Sequence, residues 1–321
     1  MSRRAVRGRY IAYACLLAAV VIGPKWLGPY DRHVLVLGVL NSVFALSVNF
    51  TLGYVGQPNF GQALFFGLGA YTSAILTLRY GVSFVTSVAA AALVATVAGI
   101  AFGPVVLRLR GAYFCMVTIA LTQAFMLVSQ NLVDLTGGPM GLPGIPRGEI
   151  LGLRLEGYNF WLLALLVLAV TLLATWRFQH SVVGRAWIGM RESETLARSV
   201  GIDTYSYAVL AYVIGAFFAG VAGGLHAHYT SLVDPNVFGF SWSSLAVVAT
   251  VLGGGGTVWG PVCGAMAITL LPEYLRLAEM WRLPIFGLFL IAVVVGMPEG
   301  LIPVLMKRRL KAGPRFSSQG G

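Results

Sequence analysis

Charge is scarce in this chain: only 10% of its 321 residues are Asp, Glu, Lys or Arg. Lysine is confined to Lys25, Lys307 and Lys311, and none of them ends a G-x-x-x-x-G-K run. That run lets a glycine-rich loop cradle a nucleotide's phosphates while its lysine reaches the terminal ones. Without it the chain has no ATPase site of this kind, so if ATP drives the protein, another chain binds it. Acids number 11 against 22 bases, and none falls midway along an apolar run. Glu273, Glu279 and Glu299 lie near run ends, and the other acids lie in polar segments. Ion-coupled carriers place ionisable groups at membrane depth, so this distribution argues against a self-sufficient secondary transporter. The three cysteines, Cys15, Cys115 and Cys263, all sit inside apolar runs without metal-ligand spacing and read as packing residues. His226 and His228 are two apart and point to different sides of a helix, a poor metal or catalytic pair. An intramembrane enzyme would need a nucleophile, base or metal cluster, and none is evident.

What the chain has is apolar length. Hydrophobic residues make up 58% of it, and the mean hydropathy is +0.82, far above an ordinary soluble domain. The net charge of +11 would suit nucleic acid, but the basic residues punctuate apolar runs and do not gather on a polar domain. Membrane lipid is therefore the expected surrounding, and nucleic acid is not an expected partner. The fold class is all-α, a polytopic helical bundle of an inner membrane with some helices broken or re-entrant. Runs at about 11–27, 34–54, 60–78, 84–107, 112–133, 159–177, 206–228, 242–256, 258–275 and 283–304 give about ten spans, with eight as the alternative. The 242–256 run is short and reads as broken or re-entrant. The first run follows Arg3, Arg4, Arg7 and Arg9, lacks a small-residue cleavage site after it, and reads as a retained anchor.

Residues 1–10 then form a basic cytoplasmic N-terminus, 11–305 the transmembrane domain with a cytoplasmic segment at 178–205, and 306–321 a basic cytoplasmic tail. Alternating spans from an inside N-terminus put 15 basic residues in the cytoplasm and 7 on the other face. That asymmetry favours an even number of spans, both termini inside, 177–205 in the cytoplasm and 134–158 outside.

Glycine is the second signal, with 40 residues in clusters. Small residues let helix backbones approach closely in lipid. Glycine and proline also permit broken helices where freed backbone groups meet other protein or line a cavity. Gly56 and Gly61, like Gly255 and Gly260, lie five apart beside a helix start, a faint internal repeat.

The polar stretch RFQHSVVGRAWIGMRESETLARSVGIDTY (177–205) is the only long charge-dense segment between apolar runs that also reads as a helix. It crowds Arg185, Arg191, Glu192, Glu194 and Arg198 into fourteen residues. Ala197 and Gly201 are four apart, as are Leu196 and Val200, which predicts a helix over 184–202 with small and apolar residues on one side. Gly201, Ile202 and Asp203 look like its C-terminal stop. Such a helix transmits force from a soluble partner, or else it is a solvated loop whose arginines fix orientation.

The segments GQPNFGQALFFGLGAYTSAIL, LRLRGAYFCMVTIALTQ, TGGPMGL, GRAWIGMRESETLARSVGI, DPNVF and LGGGGTVWGPVCGAMAITLLPEYLR occur in that order. Together they resemble the membrane-spanning permease of bacterial ABC importers for branched-chain amino acids, the M-type subunit of the leucine–isoleucine–valine system, over about residues 35–305. The resemblance implies a second, related permease, two cytoplasmic ATP-binding subunits and a periplasmic binding protein as partners. No cofactor is implied in this chain, since ATP is bound by the partner subunits. Importers of urea, amides and ribose-type solutes have related permeases, so those cargoes stay open. The family's cytoplasmic coupling helix matches Gly184, Arg185, Ala186, Arg191, Glu192, Ala197, Gly201 and Ile202, with Glu194 in the same segment. Two departures stand out: Tyr205, Ser206 and Tyr207 occupy positions where a basic residue is usual, and Trp187 is bulkier than the common pattern. The binding protein is expected to do most of the substrate selection. A mildly polar pathway then draws on Asn49, Gln57, Asn59, Gln62, Thr118 and Gln123, residues equally suited to hydrogen-bonding helices together.

Overall fold

A computed structural model describes residues 23–150, 152–275, 282–297 and 300–303 of the chain. The basic N-terminus 1–10, most of the first apolar run, Arg276, Glu279, Glu299 and the tail 306–321 lie outside the described residues.

Helix is the only way for these runs to satisfy their own backbone groups in lipid. Helix α1, Pro29–Val48, starts with a proline, whose missing N–H is no loss at a first position. It continues as a wider π-helical stretch, Asn49–Val55, and stops at Gly56 with φ 81°. Then follow α2 (Gln62–Tyr80), α3 (Phe84–Val106), α4 (Ala112–Asn131) and α5 (Tyr158–Gln179). Two short helices, α6 (Val182–Glu192) and α7 (Glu194–Ser199), precede α8 (Thr204–Thr230). The chain finishes with α9 (Phe240–Gly253), α10 (Gly260–Tyr274) and α11 (Arg282–Gly296).

Among the described residues, five elements are long and apolar enough to cross a membrane: Pro29–Val55, α3, α4, α5 and α8. The shorter α2, α9, α10 and α11 alternate in direction with them, so nine described helices run back and forth. The first expected run, 11–27, falls mostly outside the described residues, so these helices account for nine of the ten expected runs. Helix α9, at 14 residues, is the short one expected at 242–256. The 3₁₀ turn Pro235–Phe238 before it dips into the bundle, where Phe238 stacks on Tyr71 and covers Gly67.

Helix α8 is the axis of the bundle, flanked by α2, α3 and α1. Glycine makes this possible. A Cβ at Gly69 would lie 2.3 Å from the Gly220 carbonyl oxygen, and one at Gly223 would lie 1.9 Å from the Phe66 carbonyl oxygen. On the other side of α8, Gly220 meets Ala91 and Ala95, and Gly99 meets Ala216. Without a hydrophobic drive between helices in lipid, such close backbone packing holds the bundle.

The bundle has two ends. One carries α6, α7 and the α3–α4 turn. The other carries 132–157, where β1 (Leu142–Pro143) pairs with β4 (Leu232–Val233) and β2 (Glu149–Ile150) with β3 (Leu153–Arg154), both antiparallel. The segments 134–158 and 177–205 therefore lie at opposite ends, as the sequence implies. The described basic residues divide evenly. Arg108, Arg110, Arg177, Arg185, Arg191 and Arg198 lie at the first end, and Lys25, Arg32, Arg79, Arg147, Arg154 and Arg282 at the second. The excess that favours one orientation lies in the termini.

Candidate functional site

The end bearing α6 and α7 is built from two capped helices. Ser181 opens α6, its hydroxyl accepting from the Gly184 N–H at 3.2 Å. Gly184 has no room for a side chain: a Cβ there would lie 2.2 Å from the Phe178 carbonyl oxygen. One side of α6 buries Ala186, Trp187 and Met190, while Arg185, Ile188 and Glu192 are exposed.

Trp187 is fully buried. Its ring lies among Phe50, Tyr54 and Phe178, and its Nε1–H donates to the Tyr207 carbonyl at 2.8 Å. The bulk that departs from the family pattern thus points inward and anchors α6 to the bundle. The Tyr205 hydroxyl donates to the Pro104 carbonyl at 2.6 Å. The 205–207 stretch, lacking its usual basic residue, is tied to α3 and α6 in this way.

The helix expected over 184–202 is two helices. Ser193 leaves helical geometry, with φ −160° and ψ 109°. Its hydroxyl accepts from the Leu196 N–H at 3.3 Å. A serine that supplies an acceptor to a new helix start favours ending the old one, and Ser193–Glu194 was the available signal.

The single side expected to carry both small and apolar residues is also divided. Ala197 is buried, 4% exposed, whereas Leu196 and Val200 are 66% and 75% exposed. The exposed surface at α7 therefore presents Leu196, and Val200 just past its end, among Thr195, Arg198 and Ser199, and not the alanine. Gly201 does end the helix as expected, with φ 85°, its N–H donating to Arg198 and that of Ile202 to Ala197, both at 3.0 Å.

Glu194 joins three elements, accepting from Arg110 on the α3–α4 turn, from Arg198 at 3.0 Å and from Thr204 at 3.0 Å. Ion pairs this exposed contribute at most about 1 kcal/mol each, so they align α7 more than they stabilise it. Asp203 caps α8 by accepting from the Ser206 N–H at 3.3 Å. Hydrogen bonds from the Ser206 hydroxyl and backbone hold its carboxyl below the usual carboxylate range. Arg185 and Glu192 face outward, but Arg191 turns back over the bundle. Its Nη1 donates to the carbonyls of Gly53 at 2.7 Å and Gly255 at 3.1 Å.

Of the polar residues set out for a pathway, Asn49, Asn59, Gln62 and Thr118 are fully buried. Asn49 donates to the Thr257 carbonyl at 3.0 Å and accepts from the Gly256 N–H at 2.8 Å. Asn59 donates to Gln62 at 2.8 Å, and Gln62 donates to Ser47 at 3.0 Å. Thr118 bonds back to the Cys115 carbonyl at 2.8 Å. Asn49, Asn59 and Gln62 thus tie segments together, while Thr118 bonds within its own helix. Gln57 and Gln123 are half-buried, and the Gln57 side-chain oxygen is buried with no hydrogen-bond partner among the described residues. His228, set aside as a catalytic residue, bridges Ser73, Ser87 and the Pro146 carbonyl at 2.9, 3.1 and 2.8 Å.

No solved structure gives a significant match. Sequence comparison does. The high-affinity branched-chain amino acid transport system permease protein LivM of Escherichia coli (strain K12) is 30% identical over 332 residues, 95% of this chain and 78% of its own. The corresponding LivH of the same organism is 28% identical, covering 83% of this chain and 92% of its own. The autoinducer 2 import system permease protein LsrC of Yersinia pseudotuberculosis serotype O:3 (strain YPIII) is 29% identical over 76% of this chain and 70% of its own. A family model described as branched-chain amino acid transport system, permease component, matches residues 32–309. The chain is a multi-pass membrane protein that belongs to this family of branched-chain amino acid transport permeases.

Proposed function

We propose that this chain is the M-type membrane subunit of an ATP-driven importer of branched-chain amino acids in a bacterial inner membrane. It works with a second, related permease, two cytoplasmic ATP-binding subunits and a periplasmic binding protein. Both termini and the α6–α7 end face the cytoplasm, and 134–158 faces the periplasm. The observation that carries this reading is the α6–α7 surface itself. Arg185, Ile188, Glu192, Leu196 and Val200 are exposed on a base made rigid by buried Trp187. An apolar and charged surface on a stiff mount suits a soluble partner that pushes and pulls on it. Shifting a two-state permease from 1:99 to 99:1 takes about 5.5 kcal/mol, and a loose loop would not transmit it. At the opposite end a cavity of about 410 Å³ is lined by Arg32, His33, Arg147 and Tyr229, a basic recess suited to acidic groups of the binding protein.

Uptake of labelled leucine by proteoliposomes tests the reading. The reconstituted complex takes leucine up only with ATP and binding protein, and this chain alone takes up none, with or without ion gradients. Robust uptake by the chain alone makes it an autonomous carrier and overturns the assignment. The relative named for autoinducer 2 import supports a second cargo reading, a urea, an amide or another small polar solute. Competition by such solutes against leucine decides between the cargoes.

A further inference from the structure

The two glycine clusters that resemble a repeat in the sequence meet at one side chain. At the cytoplasmic end of α1 the chain breaks at Gly56, φ 81°, and after α9 it breaks at Gly254 and Gly256, φ 112° and 83°. The two breaks touch backbone to backbone: a Cβ at Gly53 would lie 2.4 Å from the Gly256 nitrogen. Arg191 of α6 lies across both. Its Cγ is 3.3 Å from the position a Cβ would take at Gly56, and its Nη1 is 2.3 Å from that position at Gly256. The same Nη1 spends its two hydrogens on the Gly53 and Gly255 carbonyls.

We propose that Arg191 is a positioning residue, a latch by which α6 holds the inner ends of these two breaks together and releases them when α6 moves. The idea rests on α6–α7 being the segment that the ATP-binding subunits move. Among the described residues, two side chains hydrogen-bond across the breaks. Asn49, which belongs to one of them, bridges to Gly256 and Thr257 from inside the bundle. Arg191 belongs to neither and reaches both from outside. Two carbonyls aimed at one point have no attraction for each other and need a shared donor. When Arg191 leaves with α6, water replaces it and only the Asn49 tie remains. Motion of α6 is thereby converted into separation of α1 from the α9–α10 break. Arginine suits the task, because one end nitrogen of its rigid, permanently charged fork serves two acceptors at fixed spacing.

The test uses the reconstituted complex with Cys15, Cys115 and Cys263 replaced by alanine and a reporter Val258→Cys beside the second break. Labelling by an impermeant maleimide from the cytoplasmic side is followed with and without ATP. In the parent complex, labelling depends on nucleotide. With Arg191→Met, labelling in the protected state rises about tenfold, the factor expected when a charged-group hydrogen bond is lost, and the nucleotide dependence flattens. Co-purification of the ATP-binding subunits is measured alongside, since the outward Arg185, Ile188, Glu192, Leu196 and Val200 are unchanged. Arg191→Lys, which keeps a charged donor nitrogen but on a shorter stem without the rigid fork, falls between the two. If Arg191→Met does not assemble, Arg191→Lys decides alone by raising protected-state labelling measurably. Labelling identical to the parent in the assembled variants overturns the latch. A parent complex whose labelling ignores nucleotide instead overturns the coupling reading beneath it.

Discussion

Trp187 on α6 donates its indole Nε1–H to the main-chain carbonyl of Tyr207 on α8, 2.8 Å away. This bond and the aromatic cage around it make α6 an extension of the α8 axis and not a tethered loop. Trp187→Phe keeps most of the ring contacts and loses the donor, costing about 1 kcal/mol. Trp187→Ala empties the cage and costs about 3–5 kcal/mol. Thermal unfolding of the purified protein in detergent should rank wild type, phenylalanine and alanine in that order. An alanine variant as stable as wild type would mean that α6 is not anchored here.

The glycine seam along α8 makes a sharper contrast. At Gly223 a methyl group runs into the Phe66 carbonyl at 1.9 Å, whereas at Gly189 on α6 nothing lies within 4 Å. Gly223→Ala must force α2 and α8 apart and should destabilise by about 1–3 kcal/mol. Gly189→Ala relieves a flexible position inside a helix and should be neutral or stabilising by up to about 1 kcal/mol. The two melting temperatures, measured side by side, check the pair.

This seam was legible in outline. Clustered glycines in apolar runs announce close helix approach, and the length of the runs located most described spans to within a few residues, although the run at 283–304 overshoots α11, which ends at Gly296. The shortness of α9 was visible too, since fewer apolar residues than a full crossing preceded Gly253. What periodicity left out is local competition. Leu196 and Ala197 are neighbours in sequence, and once Ser193 started a new helix the outward side of α7 was reset, burying alanine and exposing leucine and valine. Nor does spacing show that Arg191 and Glu192, adjacent in one motif, point to different tasks. Arg191 bonds to carbonyls 138 and 64 positions away, and main-chain acceptors leave no trace in the identity of the residues that carry them. Trp187 stands out in the sequence by its bulk alone, and bulk in a polar segment says nothing of the side it faces.

A pH dependence follows from the cap of α8. The Asp203 carboxyl is held below its ordinary range by the Ser206 hydroxyl and N–H. A depressed folded-state value means that its stabilising share is complete above the unfolded carboxylate pKa and is lost as pH falls through the folded one. Asp203→Ala should therefore unfold earlier than wild type at neutral pH. The gap should narrow only in strongly acid solution, below about pH 4. Paired melting curves across that range test it, and a gap that stayed constant with pH would remove the carboxylate from the cap.

The end of α7 separates a contact from a turn. Gly201 has φ 85° with open space where a side chain would go, so any substitution is judged first by backbone strain and only then by what lies beyond the molecule. Leucine in that conformation costs about 1–2 kcal/mol, alanine suffers the same strain without the bulk, and asparagine visits it readily. If the stop itself orients α7 toward the ATP-binding subunit, Gly201→Ala and Gly201→Leu should both weaken co-purification of that subunit and substrate-stimulated ATP hydrolysis, while Gly201→Asn stays near wild type. If the glycine instead seats in a groove of the partner, the effect should follow size, with alanine tolerated and leucine not. The spans should survive in every case, since the position lies beyond the end of α7 and before α8. A folded Gly201→Leu variant that retains both co-purification and stimulated hydrolysis would reduce this segment to a solvated connection, and the contact with the ATP-binding subunits would then have to be sought elsewhere on the α3–α4 end.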